Sequence, residues 1–431
     1  MAAARPVQAF DLQGEAASKA LPEAIAKLKS RKSEAKPITA GERRERLDCA
    51  RQLMVMNKLD AIMLMGGNSL VYFTGIHWFM SERFFAIVVP AKADPFYVCP
   101  AFEEDRAVEQ VALGVNMGNK PDVRLWQEDE SPYDRVAQGL KERGLAAGTL
   151  GVEETVRFVF SQGVGAGTAQ LNAHVSQQVA GTLPALKMVS ATPVTAGCRM
   201  IKSKHELELM TLANQVTLAA YEAAYLSSKD GMTQRDFGQL VSLAHERQGF
   251  PGGASIQVGE YSALPHGSAQ SQVLREGTIL LMDGGCSVEG YESDISRTVV
   301  LGKPTDKMKK VFEIVHRAQS AALAAAKPGV QCQAVDAAAR KVISDAGFGP
   351  DYKYFTHRLG HGIGMDGHEW PYLVRGNTLP LAPNMCFSDE PGIYIRGEFG
   401  VRLEDDMHIT ENGAELFTPQ SPSLDSPFDR G

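Results

Sequence analysis

TILLMDGGCSVEGYESDISRTVV, residues 278–300, is a pair of apolar runs separated by a glycine-bearing link. The first run ends in Asp283, Asp294 opens the second, and Gly284, Gly285 and Gly290 lie between them. Apolar runs around turn-forming glycines predict a β-hairpin with one carboxylate on each arm. The eleven positions from Asp283 to Asp294 let a turn carry both side chains to one centre. Downstream, His361 stands in Gly360-His361-Gly362-Ile363-Gly364, Glu390 in Ser388-Asp389-Glu390-Pro391-Gly392, and Glu404 in Arg402-Leu403-Glu404-Asp405-Asp406. Four carboxylates and one imidazole suit a pair of divalent cations with shared oxygens better than a structural zinc, which takes a closed set of Cys and His ligands. Singly, each Asp or Glu reads as a turn former or a surface charge. The ordered set is what points to metal.

Working outward, the chain of 431 residues exceeds the size at which one core usually divides, so two domains are expected. The segments are an N-terminal arm (1–42), an α/β domain (43–193) and a C-terminal domain (194–431). In the first, alanine, lysine and glutamate predict a helical arm or mobile lead-in. In the second, residues 43–57 read as an amphipathic helix, and residues 61–65, 86–89 and 96–99 as buried strands; residues 132–143 and 160–181 suggest further helices. Strands alternating with helices predict a small α/β layer. In the third, Ser203-Lys204-His205-Glu206 has the form of a capping box, opening a helix with an apolar stripe of Leu207, Met210, Leu212, Val216 and Ala220 that ends around Gly231.

With 44 basic and 51 acidic side chains and a net charge of -7, nothing favours nucleic acid. No stretch reaches the ~20 apolar residues of a membrane span. Six cysteines are scattered without CxxC spacing, which reads as buried or free thiols in a reducing compartment. A cytoplasmic enzyme is expected, with an export leader trimmed from the alanine-rich start as the alternative.

The C-terminal motifs resemble those of the M24 pita-bread metallopeptidases, the family of methionine aminopeptidase, aminopeptidase P and prolidase, over about residues 201–417. The resemblance implies an α+β pita-bread catalytic domain behind a creatinase/prolidase-type α/β domain. It implies two divalent cations, manganese foremost and zinc, cobalt or iron as alternatives, on Asp283, Asp294, His361, Glu390 and Glu404. Such a centre lowers the pKa of water from 15.7 towards roughly 7, and Glu390 is the candidate proton shuttle between that water and the leaving nitrogen. His266, in Leu264-Pro265-His266-Gly267-Ser268, and His368, in Met365-Asp366-Gly367-His368-Glu369, match family histidines that contact substrate and the tetrahedral intermediate. His205 and His245 are expected on helix surfaces, while His357 either shapes the site or packs.

The size of the preceding domain, the Arg402-Leu403-Glu404-Asp405 context and Ile393-Tyr394 resemble the Xaa-Pro dipeptidase (prolidase) and aminopeptidase P branch. That branch implies cleavage before proline in a small peptide, most simply an Xaa-Pro dipeptide. Arg375 is the candidate cation for a prolyl carboxylate, with a solvated loop arginine as its plain reading. Trp370 and Tyr372 are candidates for the prolyl pocket or for core. Arg402 belongs with the substrate-side residues or, more simply, supports the metal carboxylates and the site wall. Asp389 departs from the small or apolar residue that relatives commonly carry there, and on a strand its side chain points away from the metals. Thr74-Gly75-Ile76-His77-Trp78-Phe79 resembles the stretch that relatives lay over a neighbouring active site, implying a homodimer.

Competing readings are aminopeptidase P acting on longer peptides, a non-peptidase pita-bread hydrolase or lyase, and a binding module on a decayed peptidase fold. Creatinase-like members lack the full ligand set and decayed modules have lost it, so five intact ligands count against both. A metal-dependent lyase stays open, because a change of pocket alone can redirect a site.

Overall fold

The computed structural model describes residues 21–78, 81–114, 121–153 and 173–428. The chain opens with α1 (Glu23–Ala26) and α2 (Ala40–Met56), then β1 (Ala61–Leu64), α3 (Gly67–Thr74), β2 (Ala86–Pro90), β3 (Phe96–Pro100), α4 (Glu104–Leu113), β4 (Asp122–Trp126), α5 (Pro132–Glu142), β5 (Thr149–Val152), α6 (Ala173–Thr182), β6 (Lys187–Ser190) and α7 (Thr192–Met200). Their strands form one mixed sheet in the order β4-β3-β2-β1-β5-β6. Alternate side chains feed two cores: Ile62, Leu64, Ile87 and Val89 meet α2 and α3 on one face, and Ala61, Met63, Ala86 and Val88 meet α5 on the other. A sheet buried on both faces reads as continuous apolar runs. This is why the sequence places β1, β2 and β3 to within a residue.

The C-terminal half contains α8 (Lys204–Leu226), α9 (Gln234–Gln248), β7 (Gly252–Val258), β8 (Ile279–Val288), β9 (Tyr291–Glu292), β10 (Ile295–Val300), α10 (Asp306–Ala325), α11 (Cys332–Ile343), β11 (Gly360–Gly362), β12 (Glu369–Leu373), β13 (Cys386–Asp389), β14 (Gly392–Ile395), β15 (Phe399–Arg402), β16 (Asp405–Ile409) and β17 (Ala414–Leu416). It is built from two helix-pair-and-sheet layers. Strands β10-β8-β7 carry α8 and α9, strands β12-β11-β13-β16-β17 carry α10 and α11, and each layer has its own apolar core. A bridge from Ser296 to Glu404 joins the two sheets, and the functional residues gather at this seam. The chain therefore has an α/β N-terminal layer followed by an α+β unit of paired helix-and-sheet layers.

Several expectations change. The lead-in is docked from residue 21 onward: Ile25 is fully buried among Ala220, Ala223 and Ala244, and Arg31 N–H donates to the Gln248 carbonyl at 2.8 Å. Helix α8 begins at the expected capping box but stops at Leu226, with Ser227 as its cap, and Gly231 instead donates to the Leu274 carbonyl across a turn. Of the helix expected over 160–181, residues 173–181 lie in α6 and the remainder falls outside the described residues. His245 is wholly buried, bonded to the Val241 carbonyl and the Thr217 hydroxyl, because α9 turns that face onto α8. His205 is half-exposed, with Nδ1 2.7 Å from Glu42. In the segment expected at a dimer interface, Trp78 is buried under Phe85 and Arg106, His77 is exposed, and Phe79 lies outside the described residues. No described helix is long and apolar enough to cross a membrane.

Candidate metal centre

The hairpin read from residues 278–300 forms as expected, with Ser296 of β10 directly opposite Asp283 of β8. Asp294 precedes β10, its backbone N–H donating to Asp406 Oδ2 at 2.9 Å. His361 lies on β11 between β12 and β13. Its flanking glycines are there for space: a Cβ at Gly360 would stand 2.0 Å from the Ser388 carbonyl oxygen, and one at Gly362 would stand 2.5 Å from that of Glu369. The imidazole Nδ1 lies 3.1 Å from the Gly362 carbonyl. A carbonyl only accepts, so Nδ1 bears the proton and Nε2 offers its lone pair. Nε2 is 3.5 Å from Glu390 Oε1 and 3.7 Å from Asp294 Oδ2.

All five expected ligands converge. Donor atoms of Asp283, Asp294 and Glu404 lie within 4.8 Å of one another, as do those of His361, Glu390 and Glu404. Electrostatics shows what this costs the bare protein. Burial and the charges of Asp283, Asp406 and Glu390 push Asp294 well above the usual carboxylate range; burial, Asp294 and Glu390 do the same to Glu404. Burial raises Glu390 to about 8 against the opposing pull of Arg402. Asp283 alone falls, because Arg402 and Ser296 outweigh its burial. Clustered carboxylates with one compensating arginine lack positive charge, and a hard, oxygen-rich donor set with one imidazole fits divalent cations.

Arg402 sits in the wall, as its simpler reading had it. It donates from Nε to Ser296 Oγ (2.8 Å) and from Nη1 to the Pro265 carbonyl (3.1 Å) and the Tyr394 hydroxyl (3.0 Å), and its Nη2 lies 2.7 Å from Asp283 Oδ2. It is buried, and four of its five N–H donors are directed at these groups of the wall. Arg375 is exposed just beyond β12 and paired with Asp351 at 2.6 Å, apart from the converging donors. Asp389 does point away, fully buried on β13 with no hydrogen-bond partner for either oxygen among the described residues.

His368 stacks on His361 with ring centroids 3.7 Å apart. Burial lowers its pKa, and the nearby Arg358 and His266 add to that. His266 is exposed on the loop after β7, beside Ser255 and Arg235. Trp370 is half-buried, 5.9 Å from Tyr372, which pairs with His361 across β11 and β12. His357 does shape the site: Nε2 is 2.7 Å from the Tyr394 hydroxyl that contacts Arg402.

Sequence reasoning missed Ser296, whose hydroxyl is 2.7 Å from Asp283 and 2.6 Å from Glu404, and Arg199 and Lys202, which clamp Glu369 beside His368. It also missed Arg358. This guanidinium lies 4.4 Å over the Tyr372 ring, has no carboxylate partner among the described residues, and adds to the burial that lowers the pKa of His361 and His368. Its position three residues before His361 was the available signal.

An α/β layer ahead of a paired helix-and-sheet unit, with an acidic, histidine-bearing centre at the sheet seam, is the architecture of a metallopeptidase. The chain belongs to metallopeptidase family M24: residues 208–411 match that family, and residues 46–201 match the creatinase/prolidase N-terminal domain. It is 33% identical over 382 residues to the Xaa-Pro dipeptidase of Lactobacillus delbrueckii subsp. lactis, covering 88% of this chain and 98% of the relative. It is 31% identical to the Xaa-Pro dipeptidase of Pyrococcus furiosus, covering 88% and 99%. Among solved structures it is similar to dipeptidase PepE from Mycobacterium ulcerans, with a TM-score of 0.79 and 31% identity over 90% of this chain and 99% of that one.

Proposed function

We propose that this metallopeptidase hydrolyses the peptide bond before proline, chiefly in Xaa-Pro dipeptides, with two divalent cations, manganese foremost, on Asp283, Asp294, His361, Glu390 and Glu404. The observation carrying this reading is the convergence of those five donors within 4.8 Å sets in a chain whose near-full-length relatives are named Xaa-Pro dipeptidases. Bound there, the cations supply Lewis acidity towards the peptide carbonyl and bring the pKa of water from 15.7 towards roughly 7.

The protein's own groups do the rest. Glu390 takes the proton of the attacking water and passes it to the prolyl nitrogen, so the C–N bond breaks to give an Xaa carboxylate and free proline. His266 and His368 hydrogen-bond the substrate carbonyl and the charge that develops on its oxygen, a contribution worth about 2.7–4 kcal/mol per donor. The scissile amide before proline has no N–H to be recognised. Selection therefore falls on the pyrrolidine ring and the terminal carboxylate. Trp370 offers an apolar face to the ring, and Arg358, which has no carboxylate partner among the described residues, takes the carboxylate in the role first expected of Arg375. A homodimer with His77 turned towards the second copy belongs to the same reading, and sedimentation equilibrium measures it.

The test is proline release from Xaa-Pro dipeptides and Xaa-Pro-Xaa tripeptides by protein stripped of metal and reloaded with manganese. Manganese-dependent cleavage of dipeptides, lost in Glu390→Gln, is the expected result. Cleavage of tripeptides alone moves the assignment to aminopeptidase P, and no cleavage by a folded, metal-loaded protein ends the peptidase reading for proline substrates.

A further inference from the structure

All six cysteines are free, yet two of them touch. Cys49 on α2 and Cys198 on α7, 149 residues apart in sequence, have sulfurs 3.6 Å from one another. The helices come this close partly because residue 197 is glycine, where a Cβ would stand 3.0 Å from Leu53 Cδ1. Cys49 is exposed and Cys198 is buried. A small oxidant thus reaches one sulfur, and the other waits behind it.

We infer that Cys49 and Cys198 form a redox modification site, in which hydrogen peroxide oxidises Cys49 and Cys198 resolves it to a reversible disulfide tying α2 to α7. The thiolate of Cys49 attacks the peroxide oxygen; the O–O bond breaks, Cys49 becomes a sulfenic acid, and water leaves. The Cys198 sulfur then attacks the Cys49 sulfur, displacing its oxygen as a second water, so two thiols are oxidised and one peroxide is reduced per disulfide. A disulfide needs sulfurs about 2.05 Å apart, so closure asks for roughly 1.5 Å of approach, within reach of side-chain rotation and a small helix shift. The division of labour follows the local chemistry. The Cys198 thiol donates to the Cys49 sulfur and draws the Cys49 thiol down to about 7, while that same bond and burial push Cys198 up. The exposed sulfur is thus the nucleophile.

The crosslink lies where it bears on the site. Helix α7 ends at Met200; Arg199 reaches Asp366 at 2.7 Å and contacts Glu369, and Lys202, just beyond the helix, lies 2.5 Å from Glu369, the neighbour of His368. Oxidation stiffens that support.

The test treats the full-length protein with hydrogen peroxide, then applies intact mass and non-reducing peptide mapping. Wild type is expected to lose two hydrogens, to link the peptides holding residues 49 and 198, to melt higher than the reduced form, and to revert with dithiothreitol. Cys198→Ser should instead yield a dimedone adduct at Cys49, and Cys49→Ser should react at least about tenfold more slowly. Maleimide labelling of reduced wild type, expected at Cys49 first and lost after oxidation, checks the order without a variant. Accumulation of sulfinic acid at Cys49 without a link, linkage between other cysteines, or prior reaction of Cys198 would overturn the inference.

Discussion

At residue scale, two arginines separate the roles that the sequence could not assign. Arg402 spends four donors on Ser296, Pro265, Tyr394 and Asp283, and a lysine, whose donors radiate from one point, cannot reproduce that fork. Arg402→Lys is expected to weaken manganese affinity about 10- to 100-fold, read by calorimetric titration, because a group that orients a metal ligand is lost. Arg358 stands over the Tyr372 ring and has no carboxylate partner among the described residues. Losing a charge-assisted hydrogen bond of about 2 kcal/mol raises KM for an Xaa-Pro dipeptide roughly 30-fold. Arg358→Ala should do this while changing KM for the dipeptide amide little, and Arg375→Ala, which breaks only an exposed pair with Asp351, should leave both constants unchanged. The convergence of the five proposed ligands was legible because each sits in its own short context. Ser296 and Arg358 were not, since they act across strands, and loop position alone cannot say that Arg375 leans outward.

At the scale of elements, α8 shows why a local signal can understate its residue. The capping box of Ser203 and Glu206 was readable, and both bonds form. Glu206 Oε1, however, also accepts from the Tyr291 hydroxyl at 2.8 Å and lies 3.2 Å from Arg46 of α2, all three buried. The helix cap is therefore also a tie between the two halves of the chain. Ser203→Ala is expected to cost about 1 kcal/mol, and Glu206→Ala about 3–5 kcal/mol, because it strands a buried guanidinium; guanidinium chloride unfolding measures both. Helix α9 carries the opposite surprise in His245, whose burial lowers its pKa from 6.5 to about 4. Below 6.5 the unfolded chain takes up a proton that the folded chain refuses, so this histidine removes stability as pH falls from 6.5 to 4. His245→Gln should flatten that part of the pH–stability profile. Periodicity could not reveal the burial, since it shows which face of a helix is apolar but not that a second helix covers its polar edge.

For the whole molecule, the sheet seam is the feature that no local reading reaches: Ser296 and Glu404 are 108 residues apart and bonded. Folding drives Asp283, Asp294, Glu390 and Glu404 together, and the bare protein bears the repulsion. Because burial and neighbouring charge raise Glu390 from 4.5 to about 8, and Asp294 and Glu404 also upward, the folded chain without metal binds more protons than the unfolded one. Its stability then falls as pH rises from about 4.5 to about 8. Cations compete with protons for the same oxygens and reverse the trend, adding about 4 kcal/mol where free metal is a thousandfold above Kd. The gap in melting temperature between manganese-loaded and chelated protein should therefore widen steadily from pH 5 to pH 8. Taking the difference cancels groups such as His245 that titrate equally in both forms. Parallel curves would mean that the carboxylates are already compensated without metal, and the converged donors would then be structural.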